Sequence, residues 1–170
     1  MKKIVLIGFI AITNNLLAQE KVNTTSQFTV EGKIKSQFSF SQNDLLAFTS
    51  HSVDSIIIYN HLMQPRKTIK HIKGVLLKDI LDKATIDVSS PKLLSEFYIT
   101  CIASDNYKVV FSWNEIFNSA VGDHVMIITE SNGQRGDQMA DRIALLSPSD
   151  RATGRRYVKG LQKIVFEQVK

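Results

Sequence analysis

The sequence predicts an α+β fold: a single, mostly-β domain with a few short helices. Three observations predict it. Short runs of alternating or β-branched apolar residues recur between turn signals, as at Phe28–Ile34, Ser55–Tyr59 and Phe97–Ala103. The clearest helical period lies within Val75–Ala84, with Leu77, Ile80, Leu81 and Ala84 on one face. No internal repeat or low-complexity tract divides the chain, and many short strands with two or three short helices fit one domain.

The elements follow in order. Phe28, Val30 and Ile34 alternate with Thr29, Glu31 and Lys33 around Gly32, which reads as a first strand. Ser41 followed three residues later by Asp44, ahead of Leu45-Leu46, reads as the start of a short helix. Ser55–Tyr59 reads as a buried strand and Asn60–Arg66 as a loop, with Pro65 against continuation. Thr68–Lys73 alternates as an edge strand, and Gly74 opens the helix over Val75–Ala84. Ser89-Ser90-Pro91 is a turn. Phe97–Ala103 and Tyr107–Phe111 form a hairpin about Ser104-Asp105-Asn106, with Asn106 suited to positive φ. Ser112 and Glu115 match a capping box for a helix to about Asn118. His124–Thr129 is a strand, Asn132-Gly133 a turn, and Arg142–Leu146 and Lys163–Val169 the last two strands, with a short helical turn near Tyr157–Leu161.

The N-terminus reads differently. Lys2 and Lys3 precede the apolar run Ile4–Ile12, and Leu16-Leu17-Ala18-Gln19 resembles a cleavage region, so residues 1–19 are expected to be a signal peptide. The run is too short to span a bilayer. Residues 20–27 read as a polar tether and 28–170 as the domain. Cleavage removes two lysines and no acid, taking the net charge from +5 to +3. That is too mild to argue for nucleic acid. The expectation is a periplasmic or secreted monomer with no membrane span after processing and, as a partner, a small ligand or an envelope protein. Cys101 is the only cysteine, which excludes an intramolecular disulfide, and its apolar setting predicts a buried, inert thiol.

The chemistry concentrates at Arg142–Phe166. Two apolar runs there bracket a loop carrying Arg151, Arg155, Arg156 and Lys159, with Asp150 as its only acid. A glycine-flexed cationic loop of this kind can hold an anion. His51, His61 and His71 recur every ten residues, but neither they nor His124 have zinc-site spacing. No nucleophile-elbow motif supports hydrolysis.

In this order the motifs Phe28-Thr-Val-Glu-Gly32, Lys73-Gly-Val-Leu-Leu-Lys-Asp-Ile-Leu81, Ala103-Ser-Asp-Asn-Tyr107, Asn132-Gly133 and Gly154-Arg-Arg-Tyr-Val-Lys-Gly-Leu-Gln-Lys-Ile164 resemble the molybdopterin-binding domain of sulfite oxidase-like oxidoreductases. The resemblance covers roughly Phe28–Val169. It implies the fold of that domain and a pocket for a pterin or molybdopterin-like ligand. Family enzymes hold molybdenum through a cysteine after the strand equivalent to Ser55–Tyr59. Here Tyr59-Asn60-His61 stands in that place and Cys101 lies elsewhere, so molybdenum is not expected. The additional dimerisation and electron-transfer domains of some family enzymes are not expected either.

The resemblance therefore implies an exported binding protein without redox chemistry of its own, serving as a sensor or an accessory to a partner. The alternatives are an oxidoreductase with an atypical ligand set and an envelope interaction module with a vestigial site. For a flat, hydrogen-bonding ligand with an anionic tail, Tyr107 and Tyr157 offer rings for stacking, and Asn60 and His61 offer donors and acceptors beside Tyr59. Asp105 either accepts from the ring or caps its own turn. Arg155, Arg156 and Lys159 offer cations. Neighbours on an extended segment face opposite sides, so one of Arg155 and Arg156 is expected in the site and the other in solvent.

Overall fold

The structure, a computed structural model, describes residues 22–169. The signal-peptide reading of residues 1–19 lies outside the described residues. In chain order the elements are β1 (Gln27–Gly32), β2 (Phe38–Ser41), β3 (His51–Tyr59), β4 (Pro65–Leu76), α1 (Leu77–Leu81), β5 (Phe97–Ala103), β6 (Lys108–Ser112), α2 (Trp113–Phe117), β7 (Met126–Ser131), β8 (Gln134–Arg135), β9 (Ala144–Leu146) and β10 (Leu161–Gln168). Single 3-10 turns occupy Asp44–Ala47, Pro91–Glu96, Gly136–Gln138 and Thr153–Arg156. The expected α+β, mostly-β class holds. Among the described residues no helix is long and apolar enough to cross a membrane.

The strands form two sheets. One runs β2-β1-β10-β5-β6, with β1 and β10 parallel and the other pairs antiparallel. The other runs β3-β4-β7-β8, with β9 also on β7. Phe28 and Val30 of β1, Ile99 and Cys101 of β5, and Ile164 and Phe166 of β10 point inward at period two. They meet Val75, Ile127, Leu145 and the buried face of α1, Leu77, Ile80 and Leu81. Each such fully buried side chain contributes roughly 1.5–3 kcal/mol. Met126 and Ile128 alternate with Ile127 and face the other way, into a second cluster with Ile58, Ile69, Ile72, Leu146 and Tyr157. The second sheet is thus covered on both faces at β7, which explains the apolar run Met126–Ile128.

Several sequence expectations need correction. Ser55–Tyr59 is the end of a longer strand at the sheet edge, and it is mostly open: Ile57 is 40% exposed. Thr68–Lys73 is no edge strand, because β4 lies between β3 and β7. Pro65 begins β4 rather than preventing it. A strand's first residue tolerates a missing N–H. Val75 and Leu76 belong to β4, where pairing with Ile127 and Met126 overrides their place in the helical period, so α1 is shorter than expected. The alternating Phe38 and Phe40 form β2, which the sequence reading passed over.

Between Thr153 and Leu161 the helical turn sits four residues early. Val158 cannot join it, because its N–H and C=O both pair with Leu145. Thr25, ahead of β1, is also tied down. The Thr25 hydroxyl donates to the Leu161 carbonyl at 2.8 Å and accepts from the Ile143 N–H at 3.0 Å. The hairpin at Asn106 (φ 66°), the turn at Asn132 (φ 51°) and the capping box of Ser112 and Glu115 form as expected.

Candidate functional site

A cavity of about 460 Å³ opens on the outer side of the second sheet, within the range of small-ligand sites. One wall is the β3–β4 hairpin and the other is the segment Gly154–Lys159, with Tyr107 at the rim. Two devices hold the walls together. The Thr153 hydroxyl donates to the Ile57 carbonyl at 2.7 Å and accepts from the Tyr59 N–H at 2.9 Å, standing in for a strand partner at the β3 edge. Gly154 then passes so close that a Cβ there would lie 2.6 Å from the Tyr59 carbonyl oxygen, so only glycine fits without a backbone shift.

The lining is cationic. Arg66, Lys67, Arg155 and Lys159 all border the cavity, and among the described residues no carboxylate does. The sequence reading missed Arg66 and Lys67, having assigned Arg66 to the loop. Lys67 faces the cavity because it pairs with Ile58 across the hairpin. A register shift between Ile58 and Tyr59 bulges β4, which lets its neighbour Arg66 reach the same side. The adjacent Arg66-Lys67, directly after the turn, was the signal available in the sequence. Among the described residues neither Arg66 nor Arg155 has a carboxylate at ion-pair distance.

Asp141 is the counter-charge. Its carboxylate meets Lys67 Nζ at 2.7 Å, Lys159 Nζ at 3.5 Å and the Tyr157 hydroxyl at 2.8 Å. Burial pushes this carboxyl up. The hydrogen bonds from Lys67 and Tyr157 and the two lysine charges outweigh that effect and hold it below the ordinary carboxylate range. The Tyr157 phenol is raised, first by burial and then by Asp141. Four cations against one carboxylate leave the cavity strongly positive.

Of the sequence-predicted residues, Tyr59, Asn60, His61, Tyr107, Arg155, Tyr157 and Lys159 line this cavity. Two do not. Asp105 caps its own turn, its Oδ1 accepting from the Tyr107 N–H at 2.9 Å. Arg156 turns inward to Asp150 and Glu115 instead of into solvent. The segment is a 3-10 turn, in which successive side chains diverge by about a third of a revolution, not an extended strand.

Three further roles change. The Asn60 carboxamide is spent on the hairpin: Oδ1 accepts from Leu62 N at 3.0 Å and Gln64 N at 2.9 Å, and Nδ2 donates to Gln64 Oε1. Tyr157 is only 8% exposed, and Lys67 Nζ sits 5.1 Å from its ring centroid, so the ring is floor rather than stacking platform. The Tyr107 hydroxyl donates to the Arg155 carbonyl, which steadies the loop carrying that guanidinium. His51 and His61 lie at opposite ends of β3 and do not converge; among the described residues no three metal-ligating side chains cluster.

No protein-family model and no curated protein matches the chain. Among solved structures it is similar to the sulfane dehydrogenase SoxCD from Paracoccus pantotrophus, with a TM-score of 0.64 and 14% identity. The match covers 88% of this chain and 41% of that one, so the chain spans less than half of its length. At this identity the likeness is one of fold. It supports a related fold.

The chemistry of the donors does not suit a thiolate-held metal. Cys101, the only thiol, sits in β5 inside the core, fully buried, and desolvation pushes it up to about 12.

Asp141→Asn separates stability from binding. Removing the one carboxylate leaves the four cations uncompensated. The affinity of an anion is expected to rise roughly three- to tenfold, as for one charge removed several ångströms away under partial screening. Stability should fall by about 1 kcal/mol, a small figure because the lysine pairs are partly exposed. The folded carboxyl titrates low, so its contribution is complete above the unfolded carboxylate value and is lost as pH falls through the folded one. The difference between wild type and variant should therefore be full at neutral pH and vanish in acid, as read by denaturant melts across pH.

Proposed function

We propose that this chain binds a small, flat, anionic ligand of the pterin or molybdopterin-like class in the cavity between the β3–β4 hairpin and Gly154–Lys159, and carries out no redox step itself. The observation that supports the reading most is the excess of positive charge, with Arg66 and Arg155 at the mouth and Lys67 and Lys159 over Tyr157. The cations would take an anionic tail, and Tyr59, Ile58 and the exposed ring of Tyr107 would flank a planar body. A metal that came with the ligand would find no thiolate in this cavity, because the only thiol, Cys101, is buried in the core. Export and a role as a sensor or accessory belong to the same proposal and rest on the N-terminal pattern.

An oxidoreductase reading has the fold likeness behind it, but no thiol lines the cavity to hold the metal. The test is titration of the protein with a fluorescent pterin bearing a phosphate, with inorganic phosphate as comparator. Arg66→Ala and Arg155→Ala should each weaken binding at least roughly tenfold, since a charge-assisted hydrogen bond is worth about 1.5–3 kcal/mol. Raising salt should weaken it further. Unchanged affinity in the combined Arg66→Ala, Arg155→Ala and Lys159→Ala variant would remove the assignment.

A further inference from the structure

We propose that the tip of the β3–β4 hairpin is a docking element for an anionic phospholipid surface. Leu62 and Met63 stand at the tip, 62% and 52% exposed. They are held there rather than loosely displayed. The Asn60 carboxamide bridges Leu62, Gln64 and the Gln64 side chain, and Met63 takes φ 57°. Two protruding apolar residues on a pre-ordered turn lose little entropy on insertion.

Nearest the tip the hairpin itself carries only positive charge. No Asp or Glu occurs from Ser55 to Lys78, a run that carries Arg66, Lys67, Lys70, Lys73 and Lys78. Lys67, Lys73 and Lys78 have carboxylate partners, whereas among the described residues Arg66 and Lys70 have none at ion-pair distance. Arg66 lies three residues behind Met63, about 10 Å along the strand, which is the depth at which cations meet lipid headgroups once an apolar tip is in the interface. Size decides between a membrane and a protein partner. A stable protein interface buries about 800 Å² on each side, more than a two-residue tip supplies. A few apolar side chains and a handful of cations suffice for reversible binding to an anionic bilayer.

The test uses the full chain with Met63→Cys carrying an environment-sensitive fluorophore. Cys101 is fully buried, so labelling is confined to the new thiol. Val169→Cys, 65% exposed and paired through its backbone to Glu96 beyond the far end of β5, is the control position. With vesicles of phosphatidylcholine containing about a third phosphatidylglycerol, the probe at 63 should shift to the blue and the probe at 169 should not. Pure phosphatidylcholine should give no shift. Leu62→Ser should weaken binding about tenfold, and Arg66→Gln with Lys70→Gln by a similar factor or more, reversed in neither case by an added phosphate-bearing pterin. No shift at 63, or equal shifts at 63 and 169, would overturn the proposal. A shift produced as strongly by polyglutamate as by vesicles would assign the tip to an acidic protein instead.

Discussion

Thr153→Val is expected to destabilise the protein by about 2–4 kcal/mol, a fall of roughly 5–12 °C in Tm for a domain of this size. Valine keeps the shape of threonine and removes only its hydroxyl. That hydroxyl, on a residue 4% exposed, serves the Ile57 carbonyl and the Tyr59 N–H together. Both groups lie at the edge of β3 beneath the Thr153–Arg156 turn and would lose their partner there. An unsatisfied buried backbone group is worth about 1–3 kcal/mol each. Thr153→Ser should recover most of the loss, because the hydroxyl returns and only a methyl is missing. The same variant should loosen the cavity, since Thr153 is what holds Gly154 and Arg155 against the hairpin. Thermal melts of the three proteins, with anion titration alongside, read both effects. Wild-type stability in Thr153→Val would mean that water or a neighbouring group takes over the edge.

Arg156→Ala is expected to be comparably damaging, at about 2–4 kcal/mol, without removing a ligand contact. Its Nε donates to Asp150 Oδ2 at 2.7 Å, and its terminal nitrogens reach Asp150 Oδ1 and Glu115 Oε1. The guanidinium lies 4.4 Å from the Phe111 ring centroid. The Asp150 side chain is 14% exposed and, among the described residues, keeps only the Ser147 hydroxyl once Arg156 is gone. Glu115 also caps α2 by accepting from the Ser112 N–H at 2.8 Å, so the loss reaches that helix end. Asp150, first, and Glu115 together raise the guanidinium further above its ordinary value. Arg156→Lys should restore less than half of the stability, because an ammonium cannot bridge two carboxylates in a fixed plane. The folded fraction of Arg156→Ala should bind a phosphate-bearing pterin within about threefold of wild type, while Arg155→Ala loses roughly tenfold. A variant with full stability and lost binding would return Arg156 to the site.

Much of the fold was legible because local signals agree with the tertiary pairing. Phe97–Ala103 and its return strand, the Ser112–Glu115 box and the αL turn at Asn132-Gly133 each depend on residues within a few positions. The errors fall where distant strands intervene. Val75 and Leu76 fit a helix by period and became strand through β7. Tyr157–Leu161 reads as a helical turn, which the pairing of Val158 with Leu145 prevents. The cavity divides in the same way. Seven of nine expected side chains border it, yet Arg66 and Lys67 were invisible as a pair facing inward until the bulge at Ile58–Tyr59 set their side.

The sequence by itself determined the α+β, mostly-β class, the buried inert position of Cys101 and a cationic loop around Arg155, since these rest on residue type and short-range periodicity. Only the tertiary structure decided which cations share one space, that Asp141 is their counter-charge and that Arg156 and Asn60 are framework. The reason is physical: a side chain's partner is chosen by register and turn geometry. Those are set by hydrogen bonds between segments far apart in the chain, such as the link from Thr153 to β3.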